Sequence, residues 1–373
     1  MKHMGKLTWL NDFIKKESYA PFVVEKDEDY YKDLRKKYKM ILDAAVDAGA
    51  DEKSIKIIKK YSGKVKEAMR LYYSGSISKS HNVVKKLVKD CSDNALAVST
   101  LTMSNAFPGI HGTEIQLFRA RLSESIHTYK ANEMLHLPLS LRGKTGNYRF
   151  SIPGIPSLYL GNSSYACWIE LGRPAEHRFN VAPVVLDGTQ IVFNLAVMTR
   201  AWYDLNELEE EDVHCWLKLL ILMIATSYTV KEEGRVFKSE YIISQSIMLA
   251  CKELGYDGVA YFSKRVSDEI FAYAAINLAL FAPYQHNKKY STVCNKMKID
   301  DSFNYSMYKQ LGSINRNRTY DLRLASTGLI TNIGEYRKER QFPYTSTEFC
   351  EFDKFLFATW TEKEKLEWGN AVK

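Results

Sequence analysis

Apolar residues recur every three or four positions through three stretches near the start of the chain, which predicts amphipathic helices over Leu34–Ala48, Asp51–Tyr73 and Ser80–Cys91. In the second, Ile58, Tyr61, Val65, Met69 and Tyr72 share a face and Asp51 offers an N-cap; in the third, Val84, Leu87, Val88 and Cys91 line one side. Three such helices make a small bundle, expected to fill a helical domain over residues 1–105. Before them, Trp9, Leu10, Phe13 and Ile14 and a turn near Pro21 carry no functional signal.

Ser99, Thr100, Ser104, Asn105, Pro108, Gly109 and Gly112 then supply turn chemistry between Asp93 and Thr113, the expected domain boundary. From Glu114 the pattern changes period. E-I-Q-L-F-R-A-R-L alternates as a strand does, which puts Arg119 and Arg121 on one face, as a solvated edge or an anion site. The connection from His127 to Asn147, with Pro138, Gly143 and Gly146, is long enough for a lid or binding loop. Beyond it, V-A-P-V-V-L-D, Q-I-V-F-N-L, Val259–Phe262 and Asn277–Phe281 read as strands. Helices are expected over Leu208–Val230 and from a Ser239 cap to Leu254, closed by Gly255. Strands interleaved with helices predict an α+β second domain with a mixed sheet over 106–373. Its tail from about His286 matches no motif and is expected to wrap the same domain.

The 373 residues, 46% of them hydrophobic, suffice for two cores. No apolar run approaches the roughly 18 residues of a membrane span, and the N-terminus lacks a signal-peptide core, so a cytoplasmic location is expected. The six cysteines (91, 167, 215, 251, 294 and 350) show no C-x-x-C spacing and read as reduced core residues; the eight histidines show no metal-ligand spacing, and no metal is expected. The formal charge of +8 is concentrated at the start, where residues 1–100 hold 21 Lys/Arg against 14 Asp/Glu. A basic bundle can attract nucleic acid, but a lysine-coated solvated face is the favoured account. Arg70 and His81 lie too far apart for the Arg-His motif of a HEPN ribonuclease, leaving the bundle an accessory or partner-binding role.

The stretch Y-R-F-S-I-P-G-I-P-S-L-Y-L-G-N-S-S-Y-A-C-W-I-E carries the chemistry. Arg149 offers a rigid, permanently charged fork to a diphosphate. Tyr159 offers an aromatic face with a polar handle. Glu170, after a largely apolar run, offers a shielded carboxylate to the positive charge that grows on a ribose as its bond to nicotinamide breaks. The bland alternatives are a surface salt bridge for Arg149, a core tyrosine, and a helix-surface glutamate paired with Arg173. No G-x-G-x-x-G or Walker loop is present, so NAD is expected as substrate, with no cofactor.

Arg149, Tyr159 ten residues on, Glu170 eleven further, and G-Y-D-G-V-A-Y-F-S ending at Ser263 together resemble the RES domain, over roughly Leu117 to Ala282. The resemblance implies a fold related to ADP-ribosylating toxins and cleavage of NAD with water or phosphate as acceptor. It implies that Ser263 holds the ribose or carboxamide, that Arg119 or Arg121 touches ligand, and that an antitoxin or an anti-phage trigger controls the activity. Phe150 stands where relatives have tryptophan and Ser244 where they have proline. Two rivals remain: transfer of ADP-ribose to a protein or nucleic acid, and a non-catalytic nucleotide-binding module.

Overall fold

The computed structural model describes residues 22–25, 28–104, 114–196, 209–231, 235–265, 275–283, 288–311 and 344–362. Its elements begin with β1 (Phe22–Val24), α1 (Tyr30–Asp47), α2 (Glu52–Tyr73), α3 (Ile77–Lys89), β2 (Val98–Thr100), β3 (Ile115–Leu122) and β4 (Ser157–Gly161). There follow α4 (Ser164–Glu170), β5 (Phe179–Leu186), β6 (Ile191–Asn194), α5 (Glu210–Ala225), β7 (Tyr228–Val230) and α6 (Ile242–Glu253). The chain continues with β8 (Gly258–Phe262), β9 (Ile276–Phe281), β10 (Met297–Ile299), β11 (Phe303–Asn304), α7 (Tyr305–Gln310) and α8 (Glu348–Glu362). The expected apolar set Trp9–Ile14, the turn at Pro21, the boundary residues Asn105, Pro108, Gly109 and Gly112, and Leu208 lie outside the described residues.

The chain forms two units, one of residues 1–99, 148–151 and 192–259, the other of 100–147, 152–191 and 260–373. The division falls near the expected boundary but leaves α5 and α6 with the N-terminal helices. The reason is packing. Twelve of the sixteen residues of α5 are buried, so the helix has no polar face to give to water and must be wrapped by others. In the first unit Tyr30 Oη donates to Ala225 O at 2.6 Å and Tyr38 Oη to Ile221 O at 2.8 Å, tying α1 along α5. Asp51 caps α2 by accepting from Ser54 N, as expected. His81 on α3 meets Ser246 and Glu253 of α6 at 3.0 and 3.2 Å, and Arg70 is exposed. The predicted helix over Leu208–Val230 stops at Ala225; Tyr228–Val230 instead pairs in parallel with β1.

In the second unit the strands run β10, β5, β3, β4, β9, with antiparallel pairing at each step and β11 also on β5. β5 is buried throughout. Register sets the two faces. Phe118 lies opposite Pro183 and Gly161, and Gly161 opposite Asn277, so these residues share a face. On it sits an aromatic core of Phe118, Tyr165, Phe179, Tyr305, Tyr308, Phe349, Phe352 and Phe357. The tail thus adds α7 and α8 to the core of this unit. Gly161 admits the helix: a Cβ there would meet Cys167 Sγ at 2.9 Å and Ser163 O at 3.1 Å.

Candidate active site

The seven-residue helix α4 positions Glu170. Ser163 caps it, its Oγ accepting from Ala166 N at 2.9 Å, and Cys167 Sγ anchors it to the sheet through Phe118 O at 3.4 Å. The helix stops directly after Glu170. Leu171 N, Gly172 N and Arg173 N return to Cys167, Ile169 and Trp168 carbonyls at 3.1, 2.9 and 2.9 Å, with Gly172 and Arg173 in left-handed conformations (φ 83° and 57°). A carboxylate at a helix C-terminus faces the negative end of the dipole. Asn277, from the centre of β9, offsets this: its Nδ2 donates to Glu170 Oε1 at 2.7 Å. Glu170 is half-buried, and among the described residues it has no cationic partner, Arg173 included. Its remaining oxygen can therefore face an electron-poor carbon.

Tyr159, two residues before Gly161 and opposite Ala279, projects on the same face as Asn277 and α4, and is half-buried. Arg119 and Arg121 do share a face, as the alternation predicts, but it is the opposite one. Arg119 donates to Tyr159 O at 3.0 Å and Leu135 O at 3.2 Å, bracing β4 against the 131–144 connection, and burial pushes its guanidinium down to about 10. Arg121 donates to Glu133 O at 3.0 Å and lies over the Tyr129 ring. Nearby His136 is held neutral, its pKa lowered chiefly by burial: Ser291 N donates to Nε2 at 3.0 Å, leaving the proton on Nδ1 for Leu137 O at 2.7 Å. It has no free nitrogen for proton transfer. The His127–Asn147 connection is thus a braced segment with two short 3₁₀ turns, 131–134 and 139–144.

Ser263 is buried at the end of β8, where its N donates to Ala275 O at 2.7 Å and its Oγ accepts from Arg265 N at 3.2 Å. Its hydroxyl proton stays available to a ligand acceptor. Arg149 belongs to the first unit. There it donates to Thr226 O at 3.0 Å, to Glu240 O at 3.5 Å and, by a shorter bond, to Tyr228 O, and stacks over Tyr241 at 4.8 Å. It satisfies carbonyls freed where α5 ends and β7 begins. The second unit thus brings Tyr159, Glu170 and Ser263 into one sheet-and-helix framework, while the described bonds of Arg149 all lie in its own unit.

Sequence reasoning missed Asn277. A polar residue inside the apolar run I-N-L-A-L-F was the available signal, since an amide buried in a strand needs a partner. Among the described residues no group of His, Cys, Asp and Glu could hold a metal ion, and no helix is long and apolar enough to cross a membrane.

Comparison with known proteins matches residues 117–297 to the RES domain. A Bacillus subtilis (strain 168) protein named "Putative toxin YopC" is 30% identical over 172 residues, 41% of this chain and 37% of that protein. The chain therefore matches well under half the length of that relative. The crystal structure of the M. tuberculosis MbcT–MbcA toxin–antitoxin complex superposes with a TM-score of 0.31 at 12% identity, over 61% of this chain and 96% of that chain.

Proposed function

We propose, from the match of residues 117–297 to the RES domain, that the protein cleaves NAD at the bond between nicotinamide and ribose, with water or phosphate as acceptor. The observation that carries this is the Glu170 carboxylate: half-buried, steered by the Asn277 amide at 2.7 Å and unpaired with any described cation. Set beneath the ribose, such a group stabilises the charge of an oxocarbenium-like transition state and orients the incoming nucleophile. Tyr159, on the same face, stacks against the nicotinamide end. Ser263 donates its hydroxyl to the ribose or carboxamide; with no histidine bonded to it, it is a binding group rather than a nucleophile. Arg119 braces the backbone behind Tyr159, Arg121 holds the 131–134 turn through Glu133 O, and Arg149 frames the first unit. Unchecked NAD cleavage would harm the cell that makes it, so the activity is assigned to a toxin or defence effector held by an antitoxin, a proposal in keeping with the name of the Bacillus subtilis relative.

The test is NAD consumption by the purified protein with and without inorganic phosphate, alongside Glu170→Gln, with products identified. Nicotinamide plus ADP-ribose, or plus its 1″-phosphate, from the wild type alone supports the proposal and distinguishes the acceptors. Labelled macromolecule after incubation with labelled NAD would replace it with ADP-ribosyl transfer. No loss of NAD in any arm would leave a binding module.

A further inference from the structure

We infer that Asp353, on the C-terminal helix α8 and outside the domain match, is a positioning residue that anchors the N-terminus of α4 and so sets the placement of Glu170 at its other end. The inference rests on Glu170 being the catalytic carboxylate.

Ser163 Oγ takes the Ala166 amide, which leaves the first amide of α4, Ser164 N, without an intrahelical acceptor. Asp353 takes it, with Oδ1 at 3.1 Å and Oδ2 at 3.4 Å. The carboxylate is fully buried, and Tyr344 Oη donates to its Oδ2. Ser164 Oγ adds a bond to Phe349 O at 3.5 Å, and the Phe349 ring packs on Tyr165 and Trp168 at 5.4 Å each. The segment 344–353 therefore grips one end of α4 while Asn277 holds the other. At about 1.5 Å per residue, the six steps from Ser164 to Glu170 span about 9 Å of stiff helix, so a shift at the cap is carried to the carboxylate.

A neutral side chain of the same shape would satisfy Ser164 N, yet the chain has an acid here. An ionised carboxylate makes shorter, stronger bonds to both donors and suits the positive end of the helix. Its environment makes that ionisation conditional. Burial raises the Asp353 acid to about 7, against the bonds from Ser164 and Tyr344. The groups facing it are the Tyr344 phenol, the Ser163 and Ser164 hydroxyls, Cys167 from α4 and Cys350 from its own helix, with Tyr165, Tyr305 and Tyr308 in the same core. Tyr344 is raised well above its ordinary value, and Cys167 and Cys350 to about 12, all chiefly by burial, so none of these three changes charge near neutrality. Lys354 and Glu351 pair with each other at 2.8 Å. Among the described residues no cation compensates Asp353.

The experiment follows kcat and KM for NAD from pH 5.5 to 9 in the wild type, Asp353→Asn and Tyr344→Phe, with hydrogen exchange of the α4 amides measured over the same range without NAD. The wild type should show an acid limb in kcat near neutrality and α4 protection that rises through the same pH. In Asp353→Asn the limb vanishes, kcat at pH 8.5 is lower by about tenfold or more and KM changes less than about twofold, in keeping with the ~100-fold that a 1 Å misplacement can cost. Tyr344→Phe, which keeps the packing and removes one bond to the ionised acid, moves both the limb and the exchange transition to higher pH while restoring wild-type kcat above it. Should Asp353→Asn fail to fold, Tyr344→Phe decides alone. Identical pH profiles of α4 exchange in wild type and Tyr344→Phe overturn the inference. An exchange transition without NAD cleavage at any pH would sustain the anchoring and refute the proposed reaction instead.

Discussion

Gly161→Ala tests how α4 is seated. The added methyl would stand 2.9 Å from Cys167 Sγ, 3.1 Å from Ala166 Cβ and 3.1 Å from Ser163 O. Apolar contacts are most favourable at about 3.5–4.0 Å, so three neighbours are overlapped at once, and two of them belong to the first turn of a capped helix. Overpacking of this kind costs about 1–3 kcal/mol, and the rigid neighbours put this site at the top of that range, about 3 kcal/mol. Against it stand about 0.8 kcal/mol for burying a methyl and about 0.4–1 kcal/mol from the loss of glycine's freedom in the unfolded chain. The net is a destabilisation of about 1–2 kcal/mol, or a drop of roughly 2–8 °C in the melting temperature of a body of about 200 residues. The helix must lift from the sheet to relieve the overlap, so NAD cleavage should fall by about tenfold or more even in the folded fraction. Urea denaturation followed by near-ultraviolet circular dichroism gives the stability, and initial rates at saturating NAD give the activity. Cys167→Ala removes the nearest neighbour, and the double variant should be less destabilised than the sum of the two by about 1 kcal/mol. Wild-type stability in Gly161→Ala, or strict additivity with Cys167→Ala, would refute this account of the packing.

Arg149→Lys should destabilise the first unit by about 1–3 kcal/mol in equilibrium denaturation, because an ammonium lacks the guanidinium's two separate nitrogens and leaves one of the Thr226 and Tyr228 carbonyls unpaired; an unchanged midpoint would contradict the framing role. The native protein should react with a thiol reagent at pH 8 only at the rate of unfolding, since all six cysteines are buried and burial pushes Cys91 to about 11 and Cys215 and Cys294 to about 12; a fast-reacting thiol would show otherwise. Relative to the globally unfolded chain, where the acid is exposed, Asp353 is raised from 3.8 to about 7, so the associated stability is present below pH 4 and lost as pH rises toward 7; local release of α4 leaves the acid buried and forfeits only the Ser164 bond, which favours the ionised form, so α4 protection follows the opposite sign. Asp353→Asn should therefore flatten the fall in melting temperature across that window; an unchanged slope would refute the assignment.

The N-terminal helices were legible because their burial follows helical periodicity: Ile58, Tyr61, Val65 and Met69 are buried as the pattern requires, and Asp51 caps where a capping residue should. α4 was legible as an apolar turn ending in Glu170. What the sequence conceals is the partner across the fold. Asn277 lies 107 residues from Glu170 and Asp353 189 from Ser164, separations at which no local pattern operates. α8 was missed because its aromatic residues face a core assembled from distant strands, and Asp353 reads as an ordinary solvated acid in F-D-K-F. The end of α5 was placed too late because Tyr228–Val230 continues the apolar run, yet its β-branched Thr229 and Val230 favour the pairing with β1. Arg149, a phosphate ligand by type, is taken up by carbonyls that only the folded α5 and β7 present.

The burial of α5 bears on inheritance. Residues 192–259 lie within the stretch matched to the RES domain, yet they share a folding unit with residues 1–99. Tyr30 and Tyr38 of α1 bond to the backbone of α5, so the N-terminal helices close a hydrophobic surface that the matched stretch leaves open. A segment in that position cannot be traded between genes like a bead on a string. Recombination that joined the matched stretch to a different leader would strand an apolar helix, so selection must treat the two as one unit, and substitutions along α1 and α2 should co-vary with those in α5 across descendants of this gene.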